Sequence, residues 1–124
     1  MSALREISSP ALRAWRTAHP DWRAGVIIPV GAVEQHGPHL PVTCDTDIAS
    51  GAAEAVAEAV STRPPYRAWT APAVPYGPVP GADLTAGTSS VSFDLLGAYL
   101  SAVVSGFLKT GDWASATTTD PGGV

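Results

Sequence analysis

The chain has 124 residues, of which 45% are hydrophobic and 15% are charged, a balance typical of a globular domain rather than of a disordered chain. Its net charge of −4, with the seven lysines and arginines scattered, argues against nucleic acid or an anionic membrane as a partner. No apolar run approaches the roughly 18 residues of a membrane span, and the amino terminus lacks a targeting pattern. We therefore expect a cytoplasmic protein, and the single cysteine, Cys44, fits a reducing compartment.

Two elements are predicted before the polar loop of residues 29–41. Ser9 and Pro10 have the character of an N-cap and a first helical position, and the short helix that follows should end before His19 and Pro20. Residues 26–30 are an almost continuous β-branched run, which predicts a strand covered on both faces.

Three further elements follow the loop. Asp47 is predicted to cap a helix that packs on the sheet through one apolar stripe, formed by Ile48, Ala52, Val56, Ala59 and Val60. Residues 67–74 predict a weaker strand, which Pro72 restricts to an edge or an irregular end. Ser92 should cap a long helix that closes at Gly111. Its predicted core positions are Phe93, Leu96, Tyr99, Leu100, Val103, Phe107 and Leu108.

The order of these elements, in which helices alternate with strands, predicts a parallel sheet with right-handed crossovers. In such sheets, ligand sites form beyond the carboxyl ends of the strands. Both polar loops, residues 29–41 and residues 86–90, would lie there. Residues 112–124 contain no apolar run, so we expect an irregular tail after a domain of residues 1–111. Two strands form a marginal sheet whose open edge invites pairing, and a homo-oligomer is expected if the chain folds.

The most informative segment is the polar loop of residues 29–41, closed four residues later by Asp45. It places two carboxylates, Glu34 and Asp45, and the imidazole of His36 at the end of an apolar run. The glycines and prolines of the loop permit unusual backbone angles and exclude a helix. Imidazole nitrogen and carboxylate oxygen together suit zinc, manganese or iron, and a carboxylate can bridge two ions. The loop therefore predicts a divalent-metal site.

This loop also resembles a known family signature. Residues 30–41, with Asp45 nine residues after His36, resemble the amino-terminal signature of the creatininase (creatinine amidohydrolase) family. A Pro-Gly-Thr-x-Ser-type turn before a long helix also belongs to that family, and residues 86–90 match it with alanine in place of proline. The likeness runs from about residue 22 to residue 111.

The resemblance implies an α/β fold, a three-layer sandwich with a mostly parallel sheet, here truncated to its amino-terminal half. It implies a dinuclear-metal amidohydrolase that uses zinc, manganese or both, or iron. By position, Glu34 would bind one metal, His36 the other, and Asp45 would bridge them. The family's further histidine, in an Asn-Gly-His motif, and a later glutamate have no counterpart here, because all three histidines lie in the first third of the chain. No catalytic residue beyond the ligands is assigned.

The neighbouring polar residues are predicted to support the ligands. His39, Gln35 and Thr88 are expected to line the pocket or to orient the ligands. Asp47 is interpreted as a helix cap rather than as a ligand. Cys44 is interpreted as a passive thiol, because no basic residue is placed beside it in the sequence.

The function predicted from the resemblance is hydrolysis of an amide C–N bond, cyclic or linear, other than an ordinary interior peptide bond. A small-molecule amide is the expected substrate if the chain is active, but the resemblance leaves creatinine, a formamido intermediate of cofactor biosynthesis and a short peptide open. The chain would be incomplete as it stands. Two other interpretations remain open: a non-catalytic binding or assembly module, and a non-functional product of a disrupted gene. For the loop itself, the alternative is a surface turn that carries ordinary polar residues.

Overall fold

The computed structural model describes residues 2–79, 86–111 and 113. It has a short 3-10 turn, three α-helices and two β-strands, which alternate along the chain as predicted. They are the turn Leu4–Glu6, α1 (Ser9–Ala18), β1 (Arg23–Ile27), α2 (Cys44–Ser61), β2 (Tyr66–Thr70) and α3 (Phe93–Lys109). No helix in these residues is long and apolar enough to cross a membrane.

The two strands pair in parallel, which confirms the predicted α/β architecture. The register runs from Arg23 beside Tyr66 to Ile27 beside Thr70, and a single bridge between Val30 and Val74 continues it. The first strand therefore begins three residues before the predicted start at residue 26 and ends at Ile27 instead of residue 30. Prolines soon after each strand lack the amide hydrogen that a regular ladder needs.

Both predicted amino-terminal helix caps before α3 are wrong. Ser8, not Ser9, caps α1, and its side chain accepts a hydrogen bond from the amide of Ala11 at 3.3 Å. Helix α2 begins at Cys44 after the N-cap residue Thr43, so Asp47 lies inside the first turn instead of capping it. The carboxylate of Asp47 accepts a hydrogen bond from the Thr43 hydroxyl at 3.0 Å, which ties the two ends of that turn together.

Helix α2 packs on β2 through alanines and not through the predicted stripe. Ala53 and Ala57 are its buried residues, whereas Ile48 and Val56 are 65% and 52% exposed. Because the helix lies close against the strand, small side chains occupy the contact and the larger ones lie on the outer side. The 18-residue helix thus faces the sheet through positions that the apolar periodicity did not identify.

Helix α3 begins and ends as predicted. The Ser92 side chain accepts a hydrogen bond from the amide of Leu95, and Gly111 has a φ of 71°, a left-handed conformation that glycine adopts easily after a helix. Within α3, all of which the structure describes, no side chain is fully buried. The predicted face is half-buried at Leu96, Leu100, Val103 and Phe107, and is exposed at Phe93, Tyr99 and Leu108.

The hydrophobic core is an aromatic cluster around Trp69, which is 1% exposed. The Trp69 ring lies 4.8 Å from the ring of Trp15 and 5.8 Å from that of Trp113, both in edge-to-face geometry. Phe107 of α3 meets Trp113 at 5.8 Å. Trp113 falls in the predicted irregular tail and is nevertheless buried, while the other residues of that tail lie outside the described residues. The division into residues 1–111 and 112–124 stays a prediction.

Candidate metal centre

The polar loop leaves the sheet between two tight backbone contacts. The amide of Gly31 donates to the carbonyl of Val74 at 2.9 Å, and the amide of Val74 donates to the carbonyl of Pro29 at 2.9 Å. These bonds hold the chain beyond β1 beside the chain beyond β2. The loop therefore starts from the carboxyl ends of both strands, where a ligand site was predicted.

The loop then folds back on itself. The amide of Glu34 donates to the carbonyl of Val42 at 3.0 Å, so the ligand-bearing segment runs beside the segment that enters α2. Gly37 has a φ of 74°, and its amide donates to the side-chain oxygen of Gln35 at 3.0 Å. This turn reverses the chain directly after His36.

The second polar loop, residues 86–90, packs against the first beyond the carboxyl ends of the strands, where both were predicted to lie. Val33 and Ser89 form an antiparallel bridge, and the Thr88 hydroxyl accepts a hydrogen bond from the Gln35 amide at 2.9 Å. Gly87, with a φ of 86°, lies so close to Val42 that a Cβ there would meet the valine side chain at 2.7 Å. Through these contacts Gln35 and Thr88 brace the segment that carries the predicted ligands.

Glu34, His36 and Asp45 meet in space. One ligand atom from each of the three lies within 4.8 Å of the others, and all three residues are half-buried. His36 Nε2 lies 3.3 Å from Asp45 Oδ1, while His36 Nδ1 lies 3.0 Å from the carbonyl oxygen of Glu34. Among the described residues this is the one such cluster of histidine, cysteine and carboxylate side chains.

The cluster shifts two pKa values upward. The pKa of Glu34 is raised, mainly because its carboxyl shares a hydrogen bond with that of Asp45; burial and the negative charge of Asp45 add to the shift. The pKa of His36 is raised, mainly by its hydrogen bond to the carbonyl of Glu34, with the two carboxylates adding and burial opposing. Protonated His36 therefore stabilises the metal-free fold below its unfolded pKa, and that stability is lost as pH rises through its raised folded pKa.

The donor set fits a divalent cation. When His36 Nδ1 donates to the Glu34 carbonyl, the lone pair of Nε2 faces Asp45 across 3.3 Å. Two electron-rich atoms at that distance need a proton or a cation between them. Three donors of this mixed type would match a zinc site that keeps an open position. The two-metal arrangement that the resemblance implies, with Asp45 as the bridge, would require more ligands than these three residues offer.

The other predicted site residues lie outside the cluster. His39 is exposed beyond Pro38, and Asp47 is exposed on α2. Cys44 is half-buried, its thiol is free, and its amide donates to the carbonyl of Pro41 at 3.2 Å. A pocket role for His39 stays a prediction, as do the ligand roles of the three clustered residues.

Comparison with known proteins fits this geometry. A family model described as creatininase, creatinine amidohydrolase, matches residues 6–112. The chain belongs to the creatininase family. The mycofactocin precursor peptide peptidase of Mycolicibacterium smegmatis is 48% identical to it over 52 residues, which are 42% of this chain and 21% of that relative. The Mycobacterium tuberculosis protein of the same name is 36% identical over 81 residues, covering 62% of this chain and 32% of the relative.

Solved creatininases share the fold. A manganese form superposes with a TM-score of 0.72 and a zinc–zinc form of a creatininase mutant with 0.71, each at 25% identity. Each match covers 90% of this chain and 42% of the solved one. The predicted creatininase-like α/β fold is therefore confirmed. This creatininase-family chain spans at most about a third of the length of these two curated relatives.

One residue at the site was missed by the sequence reasoning. Thr46 directly follows Asp45, and its hydroxyl reaches the carbonyl oxygens of Ala32 and Pro75 at 3.2 and 3.4 Å. Its place between two acidic residues was the only signal in the sequence. The contact partners lie 14 and 29 positions away, so no local pattern could reveal them.

Proposed function

We propose that this chain provides the metal-binding loop of an amidohydrolase centre, with Glu34, His36 and Asp45 as ligands. The observation that carries the proposal is the convergence of one ligand atom from each residue within 4.8 Å. Family membership over residues 6–112 supports it, as do the zinc and manganese forms of the structural relatives. Zinc or manganese is accordingly the metal that we propose, with iron as the less supported choice.

In this centre each residue has a distinct task. Glu34 and Asp45 supply negative oxygens, and His36 supplies a neutral nitrogen whose ring is oriented by the Glu34 carbonyl. A divalent ion held by these three residues would act as a Lewis acid, which would polarise an amide carbonyl and lower the pKa of bound water. The braced loops keep the three donors in place without rearrangement, which is the protein's main contribution to such chemistry.

The proposed reaction is hydrolysis of an amide C–N bond. The curated relatives are named as peptidases of a precursor peptide, and the solved relatives as creatininases. The identity of 36% over 62% of this chain, against 25% over 90% of it for the solved creatininase, is the ground on which we favour an amide bond of a peptide over a cyclic small-molecule amide. A small-molecule amide remains the second candidate, as the resemblance implies.

The 124-residue chain by itself is expected to bind metal without meaningful turnover. The further histidine and glutamate that the family resemblance implies have no counterpart in these 124 residues, so a second metal would lack its ligands, and loss of the two-metal geometry costs orders of magnitude in rate. The test assays creatinine and a short peptide with added manganese or zinc. Metal binding without turnover is the expected result, and it separates this proposal from a module that has lost its metal.

Two results would contradict that expectation. Absence of metal binding would instead favour a non-catalytic binding or assembly module, or a non-functional product. Robust metal-dependent turnover that disappears in Glu34→Gln would show that the chain completes the centre on its own, in agreement with the proposed chemistry but not with the predicted incompleteness.

We also propose that two copies of the chain associate through the open edge of β1. The backbone groups of Val26 and Ile28 alternate with those bonded to β2 and have no hydrogen-bond partner within the described residues, whereas Ala24 is buried in the core cluster. An antiparallel pairing centred on Ile27 would place Val26 opposite Ile28 of the other copy. No charged side chain lies in this paired stretch.

Sedimentation velocity tests this association. Wild type is expected to be dimeric and Val26→Pro monomeric, because proline removes an outward amide while the bonds between β1 and β2 remain. Circular dichroism verifies that the variant stays folded. A monomeric wild type, or a dimer that persists in the folded variant, would rule out this edge as the interface.

A further inference from the structure

The site depends on a contact between two separate parts of the chain. Glu34 and His36 belong to the loop after β1, whereas Asp45 belongs to the first turn of α2. The 3.3 Å separation of His36 Nε2 from Asp45 Oδ1 is therefore a distance between two elements. Any group that fixes one element against the other also fixes the donor set.

Thr46 lies where these elements meet. Its hydroxyl is within hydrogen-bond distance of two carbonyl oxygens, 3.2 Å from that of Ala32 after β1 and 3.4 Å from that of Pro75 after β2. The single hydroxyl proton can be shared between both oxygens. One side chain of α2 thus binds the exits of both strands, one residue beyond a proposed ligand.

The backbone around Thr46 leaves no space for adjustment. A Cβ on Gly31 would collide with the Thr46 side chain and lie 2.5 Å from its Cα. A Cβ on Gly77 would collide with the carbonyl oxygen of Gly31. Glycine at both positions lets α2 and the two strand exits come into direct contact, so the hydroxyl joins three backbone segments.

We propose that Thr46 is a positioning residue of the metal centre, whose hydroxyl holds the first turn of α2 against the strand exits so that Asp45 reaches Glu34 and His36. This inference rests on the proposed metal-binding function. Thr43 offers a matched contrast, because its hydroxyl also donates near the start of α2, yet only to Asp47 of the same helix at 3.0 Å. Loss of the Thr43 hydroxyl leaves the contact between elements intact.

Zinc affinity, measured by competition with a chelating dye, tests the proposal with four variants. Thr46→Val and Thr46→Ala remove the hydroxyl and are expected to weaken zinc binding about tenfold to a hundredfold, the loss typical when a group that orients a ligand is removed. Thr46→Ser retains the hydroxyl and is expected to bind zinc as wild type does. Thr43→Val is expected to bind as wild type does.

A second measurement needs no metal. The amides of Gly31 and Glu34 donate to the carbonyls of Val74 and Val42, and their hydrogen exchange in the metal-free protein reports whether the strand exits are held. Faster exchange is expected in Thr46→Val and Thr46→Ala, but not in Thr46→Ser or Thr43→Val.

The two measurements separate failure of this inference from failure of the proposed function. If wild type binds no zinc, the metal-binding function fails, and the exchange rates still decide whether Thr46 holds the loops. If wild type binds zinc and the variants without the Thr46 hydroxyl bind equally well, the positioning role is overturned. Unchanged hydrogen exchange in those variants overturns it as well. If Thr43→Val loses as much zinc affinity as they do, the effect is a general one on the start of α2, and the specific role of Thr46 is overturned.

Discussion

Replacing Trp69 by alanine is expected to destabilise the fold by about 3–5 kcal/mol, the range found when a large buried aromatic is truncated. Trp69 is 1% exposed and lies in the core cluster between Trp15 and Trp113, so its removal leaves a cavity in the hydrophobic core. A two-stranded sheet has little stability to lose. We therefore expect Trp69→Ala to be largely unfolded at 25 °C.

Urea denaturation followed by circular dichroism measures this effect. Tyr66→Ala is the matched control, because it truncates an aromatic residue that is 46% exposed on the same strand. It should cost about 1 kcal/mol or less. If the alanine variant has no folded baseline, the smaller change Trp69→Phe gives an intermediate loss in the free energy of unfolding that can still be measured. Equal losses for Trp69→Ala and Tyr66→Ala would mean that the aromatic cluster is not the core.

The His36→Ala substitution is expected to reduce zinc affinity by at least about a hundredfold, more than the loss that follows removal of a supporting group. His36 provides the single nitrogen of the cluster, and without it the two carboxylates form a weaker, oxygen-only site for zinc. Isothermal titration calorimetry in metal-free buffer measures the change.

His39→Ala is the control for that experiment, since it removes an exposed imidazole three positions away on the same loop. It should bind zinc as wild type does. Equal affinities of wild type and His36→Ala would remove His36 from the site. A large loss in His39→Ala would instead indicate that His39 contacts the ion, contrary to its position outside the cluster.

Local sequence signals anticipated the parts of this structure that local chemistry determines. The serine cap at Ser92 and the left-handed Gly111 bound α3 as predicted, because a cap and a terminating glycine act within one helical turn. The alternation of helices and strands was enough to predict parallel pairing. The two polar loops meet because parallel strands end at the same edge of a sheet.

Most of the errors concern features that distant contacts decide, whereas the cap of α1, Ser8 instead of Ser9, is a local error of one residue. Asp47 and Thr43 both have side chains suited to a cap, and α2 begins after Thr43, with Thr46 of its first turn in contact with the strand exits. Ile48 and Val56 follow the helical period, yet only small residues fit between α2 and β2. Trp113 lies in a polar stretch and is buried because Trp69 and Phe107 surround it. No pattern within a few residues contains this information.

The most direct test of the metal centre is the number of ions bound per chain. Native mass spectrometry with zinc or manganese should find one ion per chain at pH 8, and none when Glu34, His36 and Asp45 are all replaced by alanine. Because a proton on His36 competes with the ion and its pKa is raised, occupancy should increase as the pH rises from 6 to 8. Well under one ion per chain at pH 8, or equal occupancy in the triple variant, would contradict a metal centre at this loop.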